Sequence, residues 1–223
     1  DGGELKRVVV VGGGLIGLDV AENLADRGVK TSVIDFAPHI LSEMLDPEIS
    51  GYLETAMANA GIMPFTGVAL EGIEGNGKVE KVLTSKRPMK ADAVVLAMGF
   101  RPNTDFLADS GLEMFKGTLL VDGQMRTNDP DIYAAGDCAL VTSRITGERQ
   151  WSAMGSTANI SGRLAAMVIA DDPAAGTYFG VLGTGIAKLP GTNMGRTGLT
   201  EKAARAAGFE VETVITVTDD KAH

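Results

Sequence analysis

The sequence predicts an α/β fold: parallel βαβ units with an inserted β-hairpin, followed by a smaller α+β tail. Three observations predict it. Short β-branched or apolar runs at residues 8–11 and 93–97 have the length and continuous apolarity of buried parallel strands rather than helices. The stretches after the first run carry apolar residues at helical spacing and are punctuated by glycine or proline. Finally, the first run leads directly into Gly12, Gly14 and Gly17, the spacing Gly-x-Gly-x-x-Gly at a strand-to-helix turn.

Residues 6–35, KRVVVVGGGLIGLDVAENLADRGVKTSVID, therefore read as strand, glycine turn, amphipathic helix and second strand. Each glycine has its own role: Gly12 permits the tight turn, Gly14 lets a pyrophosphate approach the backbone, and Gly17 lets the helix sit close to the sheet. The N–H groups at the helix start favour an anion by about 0.3–2 kcal/mol. Asp35 ends the second strand where a carboxylate meets adenosine ribose hydroxyls, so the stretch predicts a dinucleotide site in a Rossmann-like domain.

Along the chain, the first helix is expected over residues 15–27, with Ile16, Val20 and Leu24 on one face and Gly28 as a left-handed cap. Asp46-Pro47 offers an N-cap followed by proline at the first helical position, and Gly61 a stop. Residues 68–73 and 79–84 read as a hairpin whose Asn76-Gly77 supplies positive φ values. A parallel strand at residues 93–97 runs to Met98-Gly99, and the first domain is expected to end near Asn103. Beyond it, strands are expected at residues 119–121 and 132–135, the latter running into Gly136-Asp137 and placing that carboxylate at a sheet's carboxyl edge. A helix is expected from about residue 153 to 170. The tail, residues 184–218, reads strand, strand, helix over 200–207 capped by Gly208, then strand.

The 223 residues are 44% hydrophobic and 22% charged, a balance that suits a globular protein with a proper core. No apolar run approaches the roughly 20 residues a membrane span needs, and no signal-peptide pattern opens the chain. A net charge of −9 argues against a nucleic-acid partner. The single cysteine, Cys138, excludes an internal disulfide and suits a cytoplasmic setting. No metal-ligand pattern stands out. His39 reads as a solvated loop histidine, Arg101 as ordering the loop before Pro102-Asn103, and the methionines as core filling.

Taken together, these stretches resemble the pyridine nucleotide-disulfide oxidoreductases, in the branch of coenzyme A-disulfide reductases, NADH oxidases and NADH peroxidases. VVVVGGGLIGLDVAENL is similar to that family's NAD-binding turn and VVLAMGFRPNT to the end of its NAD domain. TNDPDIYAAGDCA resembles its second flavin motif, and SAMGSTANISGR the helix start that points at the flavin ring. TGIAKLPGTNMGRTGLTEKAARAAGF resembles the opening of its dimerisation domain. The resemblance implies NAD contacts at Gly12, Gly14, Ile16, Gly17, Asp19, Asp35 and Gly99, and FAD contacts at Gly136, Asp137, Met154, Gly155 and Ser156. It implies an NAD(H) domain over residues 1–103, the C-terminal segment of an FAD domain over 104–173, and a truncated dimerisation domain over 174–223.

The implied activity is a homodimeric FAD enzyme passing hydride from NADH, rather than NADPH, to a disulfide or thiol acceptor of coenzyme A type, or to oxygen or peroxide. Asp35 repels a 2′-phosphate, and Phe36-Ala37-Pro38 provides no arginine clamp. Two departures stand out. Asp19 occupies the place of a usual glutamate near the nicotinamide. Only one Gly-x-Gly-x-x-Gly is found, so an N-terminal segment holding the flavin's ADP half and the redox cysteine is expected outside this chain, whose ends both look cut. Cys138 is read as a buried filler, not the redox group. Two alternatives stand beside this reading: an isolated dinucleotide-binding module without catalysis, and a ferredoxin- or nitrite-reductase-type flavoprotein component.

Overall fold

The structure is a computed structural model that describes residues 5–189 and 191–218. Its first domain is organised by β1 (Arg7–Val11), whose four valines are all buried. A parallel sheet forms in the order β3 (Met63–Phe65), β2 (Lys30–Ile34), β1 and β7 (Ala93–Leu96), with Val10 opposite Val33 on one side and Val95 on the other. The alternation of side chains along β1 gives it two buried faces. Val8 and Val10 pack with Leu18 of α1 (Leu15–Ala25) and with Leu53 and Met57 of α2 (Pro47–Asn59). Val9 and Val11 pack on the opposite face against Val82 and Val68. That second face is covered by an antiparallel sheet of β4 (Leu70–Glu74), β5 (Lys81–Thr84) and β6 (Met89–Lys90). Fully burying one such aliphatic side chain contributes about 1.5–3 kcal/mol, which makes β1 the strand least tolerant of polar substitution.

The local signals act largely as expected. Asp46 lies outside α2 with Pro47 at its start, and Gly28 (φ 77) and Gly61 (φ 85) follow the two helices in left-handed conformations. Two details differ. The first helix stops at Ala25, because Arg27 and Gly28 already turn back with i→i−3 bonds to Leu24 and Ala25. In the hairpin turn only Gly77 (φ 73) takes a positive φ, while Asn76 does not, so the predicted pair of positive values is not formed.

A second core gathers Leu119, Met125, Ala134, Leu164 and Val168. It is built on β8 (Met114–Phe115), β9 (Thr118–Leu120), β10 (Ala139–Thr142) and β11 (Arg149–Trp151), with α3 (Gly155–Ile169) against them. The expected strand at residues 132–135 is not formed. Its apolar pattern is real, but its only ladder contact among the described residues is one bridge, Tyr133 to Arg126. Asp137 therefore sits in a 3₁₀ turn, Gly136–Cys138, at the amino end of β10 rather than at the carboxyl edge of a strand.

The tail forms a hairpin of β12 (Gly185–Leu189) and β13 (Thr192–Arg196), then α4 (Glu201–Ala206), whose N-cap Thr200 accepts from Ala203 N–H at 3.2 Å. Residues 210–218 form no strand, which corrects the last expected element. The hairpin docks on the first domain: Leu189 and Met194 join the core of β1 and α1. Lys188 Nζ lies 3.0 Å from the nearly buried Glu22 carboxylate, whose hydrogen bond and charge raise the ammonium above its usual range. Facing away from this core, Ile186 and Val214 are about four-fifths exposed. No helix of the described residues is long and apolar enough to cross a membrane.

Candidate functional site

The sheet order places β1 between two strands parallel to it, with β2 and β3 on one side and β7 on the other, so the order of connection reverses at β1 and a crevice opens at the carboxyl ends of β1 and β7, where ligands bind in open α/β sheets. Gly12 sits there with φ 115, and a Cβ on it would lie 2.2 Å from the Ala97 carbonyl oxygen. A Cβ on Gly17 would lie 1.9 Å from the Gly12 oxygen, so Gly17 sets how closely α1 approaches the turn. Gly14 differs: apart from its own neighbours in the chain, nothing among the described residues lies within 4 Å of where its Cβ would be. It is the N-cap of α1, and no side chain caps that helix start, which leaves its N–H groups open to an anion.

Asp35 closes the other side. Its Oδ2 accepts from Gly13 N–H at 2.5 Å and its Oδ1 from Ala37 N–H at 2.7 Å, which fixes the carboxylate against the glycine turn while leaving lone pairs for further donors. A cavity of about 550 Å³ is lined by Gly12, Gly14, Asp35, Leu70 and Gly99 among others, a volume in the range of small-molecule sites. Among the described residues, no lysine or arginine lines it. Four of the seven NAD residues named from the sequence thus meet in one cleft, and Gly17 lies buried beneath them. Ile16 and Asp19 are not among its lining residues; both are exposed on α1. Val68, Ala69 and Leu70, which sequence reasoning assigned only to a hairpin, form one wall, and Met98 is an exposed cleft residue rather than core filling.

The proposed flavin residues gather round the start of α3. Gly136 (φ 74) lies against Ala158, and its N–H donates to the fully buried Ser161 Oγ at 3.1 Å; Ser161 in turn donates to Thr157 O at 2.7 Å. Trp151 Nε1 donates to the carbonyl of Asp137 at 2.7 Å, and the Asp137 side chain is exposed. Met154 is the N-cap of α3, again without a side-chain cap bond, and Gly155 and Ser156 are exposed in its first turn. Met154 and Ser156 line a second cavity of about 340 Å³ together with Arg144, Trp151 and Arg196, none of the three singled out from the sequence as a site residue. The two sites are joined by Phe100, just past Gly99, whose ring centroid lies 5.2 Å from that of Trp151.

The remaining candidates have structural partners. Cys138 is half-buried, with Sγ 3.3 Å from the Ala135 carbonyl. His39 Nδ1 lies 3.2 Å from Glu54 Oε1. Arg101 pairs with Asp105 at 3.1 Å, both well exposed, a contact worth little in stability.

A profile described as pyridine nucleotide-disulphide oxidoreductase matches residues 1–159. The NADH oxidase of Methanocaldococcus jannaschii is 36% identical over 199 residues, covering 89% of this chain and 44% of that protein. The NAD(P)H coenzyme A polysulfide/persulfide reductase of Pyrococcus horikoshii is 32% identical over 221 residues, 99% of this chain and 49% of that protein. The crystal structure of an FAD-dependent pyridine nucleotide-disulphide oxidoreductase from Desulfovibrio vulgaris matches with a TM-score of 0.87 and 38% identity, over 93% of this chain and 53% of that one. The chain thus spans about half the length of the curated relatives it matches.

Proposed function

Because the chain belongs to the pyridine nucleotide-disulphide oxidoreductase family, we propose that it carries the NADH site and part of the FAD site of a cytoplasmic, homodimeric flavoenzyme. The acceptor in this reading is a sulfur compound of coenzyme A persulfide or disulfide type, or oxygen or peroxide. The donor and the sulfur acceptor follow from the names of the two relatives. The observation that carries the reading is the juxtaposition of two uncapped helix starts. One opens on the Gly12–Asp35 cleft and the other on the Met154–Ser156 cavity, and the Phe100–Trp151 contact lies between them.

The residues divide the work. The open N–H groups at Gly14 and the start of α1 hold the dinucleotide pyrophosphate, and Asp35 accepts from the adenosine ribose hydroxyls. Gly99 keeps the far wall low, so that the nicotinamide end can pass towards Trp151. On the other side, Asp137 serves the ribityl chain, and the backbone N–H groups of Gly155 and Ser156 stabilise negative charge on the ring edge. FAD, when bound, supplies the two-electron relay between nicotinamide and acceptor. In this scheme residues 1–103, 104–173 and 174–223 are the NADH, FAD and dimerisation segments.

NADH is the expected coenzyme. The 2′-phosphate of NADPH would meet the Asp35 carboxylate, with no cation among the described residues lining the cleft to offset it. Steady-state kinetics on the full-length protein are expected to give a kcat/KM for NADH at least about tenfold above that for NADPH. A clear preference for NADPH would refute the assignment.

A further inference from the structure

The loop between β2 and α2 has neither strand nor helix over residues 39–46, yet it is held at four points. Glu54 Oε1 accepts from Ile40 N–H at 3.1 Å, and the fully buried Ser50 Oγ donates to Ile40 O at 2.8 Å. The other two holds come from the C-terminal tail. Arg196 Nη1 donates to Met44 O at 2.9 Å, and Asp46 Oδ1 accepts from Glu201 N–H at 2.8 Å.

The loop in turn holds the glycine turn. Met44 N–H donates to Leu41 O at 2.7 Å, and Leu41 N–H donates to Gly13 O at 2.9 Å. Leu41 is buried and has φ 53, a conformation that disfavours a bulky side chain and persists only where surrounding contacts impose it. A continuous path therefore runs from Arg196 in β13 through Met44 and Leu41 to the Gly13 peptide, between the glycines that face the cleft.

Arg196 supplies the donor for Met44 O, yet its Nε is buried without a hydrogen-bond partner among the described residues, so the guanidinium is held here at a cost that its one bond to the loop has to offset. We propose that Arg196 is a positioning residue for the dinucleotide: by holding Met44 O it keeps Leu41 in its left-handed turn, and through the Leu41 bond to Gly13 O it keeps the Gly13–Gly14 peptide oriented so that the Gly14 N–H receives pyrophosphate. This rests on the NADH reading of the cleft. Because linkage is reciprocal, NADH binding also strengthens docking of the β12–β13 hairpin by the same factor.

The test is equilibrium NADH binding by calorimetry on the full chain, with a thermal melt of each variant. Arg196→Met is expected to weaken NADH binding about tenfold. Arg196→Lys, which keeps a donor able to reach Met44 O, is expected to stay within about threefold of the parent. Lys188→Met breaks the other hairpin tie, to Glu22, without touching the 41–44 turn, and is expected to stay within about twofold. If Arg196→Met melts too low to assay, Arg196→Gln carries the same expectation. Equal losses in the Arg196 and Lys188 variants, or no loss at Arg196, would overturn the proposal. A parent chain that binds no NADH would overturn the reading of the cleft itself, and with it this inference.

Discussion

Gly12→Ala is expected to destabilise the first domain by about 3 kcal/mol or more and to abolish measurable NADH binding. Two independent effects add at this residue. Its φ of 115 lies where L side chains are strained, and the new Cβ would stand 2.2 Å from the Ala97 carbonyl oxygen, which is backbone and has no rotamer to yield. Relief requires the end of β7 to move away from β1. That movement would break the 2.7 Å bond from Ala97 N–H to Val11 O and reshape the cleft wall at Met98 and Gly99. For a chain of this size the melting temperature should fall by roughly 6–12 °C. Gly14→Ala is the internal comparison, because its Cβ points into open space and φ is −82. It should leave the melt nearly unchanged and weaken NADH alone. Equal melts for the two variants would show that the turn is not strained as described.

Asp35→Ala is expected to collapse the choice between coenzymes. The carboxylate accepts from Gly13 and Ala37 N–H, and in the proposed scheme its remaining lone pairs serve the ribose hydroxyls. Hydrogen bonds to a charged group contribute about 1.5–3 kcal/mol each. NADH affinity should therefore fall about 30- to 100-fold, while NADPH, which loses a repulsion as well as these bonds, should change by no more than about tenfold. The ratio of kcat/KM values measured with the two coenzymes reads this directly. A variant that keeps the parent's ratio would remove Asp35 from coenzyme selection.

Much of the first sheet and its glycine turn was legible because their determinants are local. Gly12, Gly14 and Gly17 encode a turn by backbone geometry, and Asp46-Pro47 and Gly61 mark the ends of α2 by their own conformational limits. The errors fall where structure depends on partners. Residues 132–135 have a strand's pattern, but a strand is defined by its neighbours, and here they find one bridge. β6 is two residues long and exists because β5 offers it an edge, and nothing in Met89-Lys90 announces it. The wall at Val68–Leu70 and the tie from Arg196 to Met44 are likewise tertiary: the latter joins positions more than 150 apart, a distance at which spacing rules carry no signal. Ile16 and Asp19 hold their places in the motif and are exposed on α1.

In the proposed scheme the cleft at β1 and β7 delivers NADH to a flavin seated at the start of α3. Titration of the FAD-loaded, full-length protein with NADH in the absence of oxygen, followed by the flavin's visible absorbance, reads this delivery. Stoichiometric bleaching by NADH is expected, with Asp35→Ala requiring a large excess and Gly12→Ala leaving the flavin oxidised. In the parent protein, a flavin that stays oxidised in the presence of NADH, or that is bleached more readily by NADPH, would contradict the scheme.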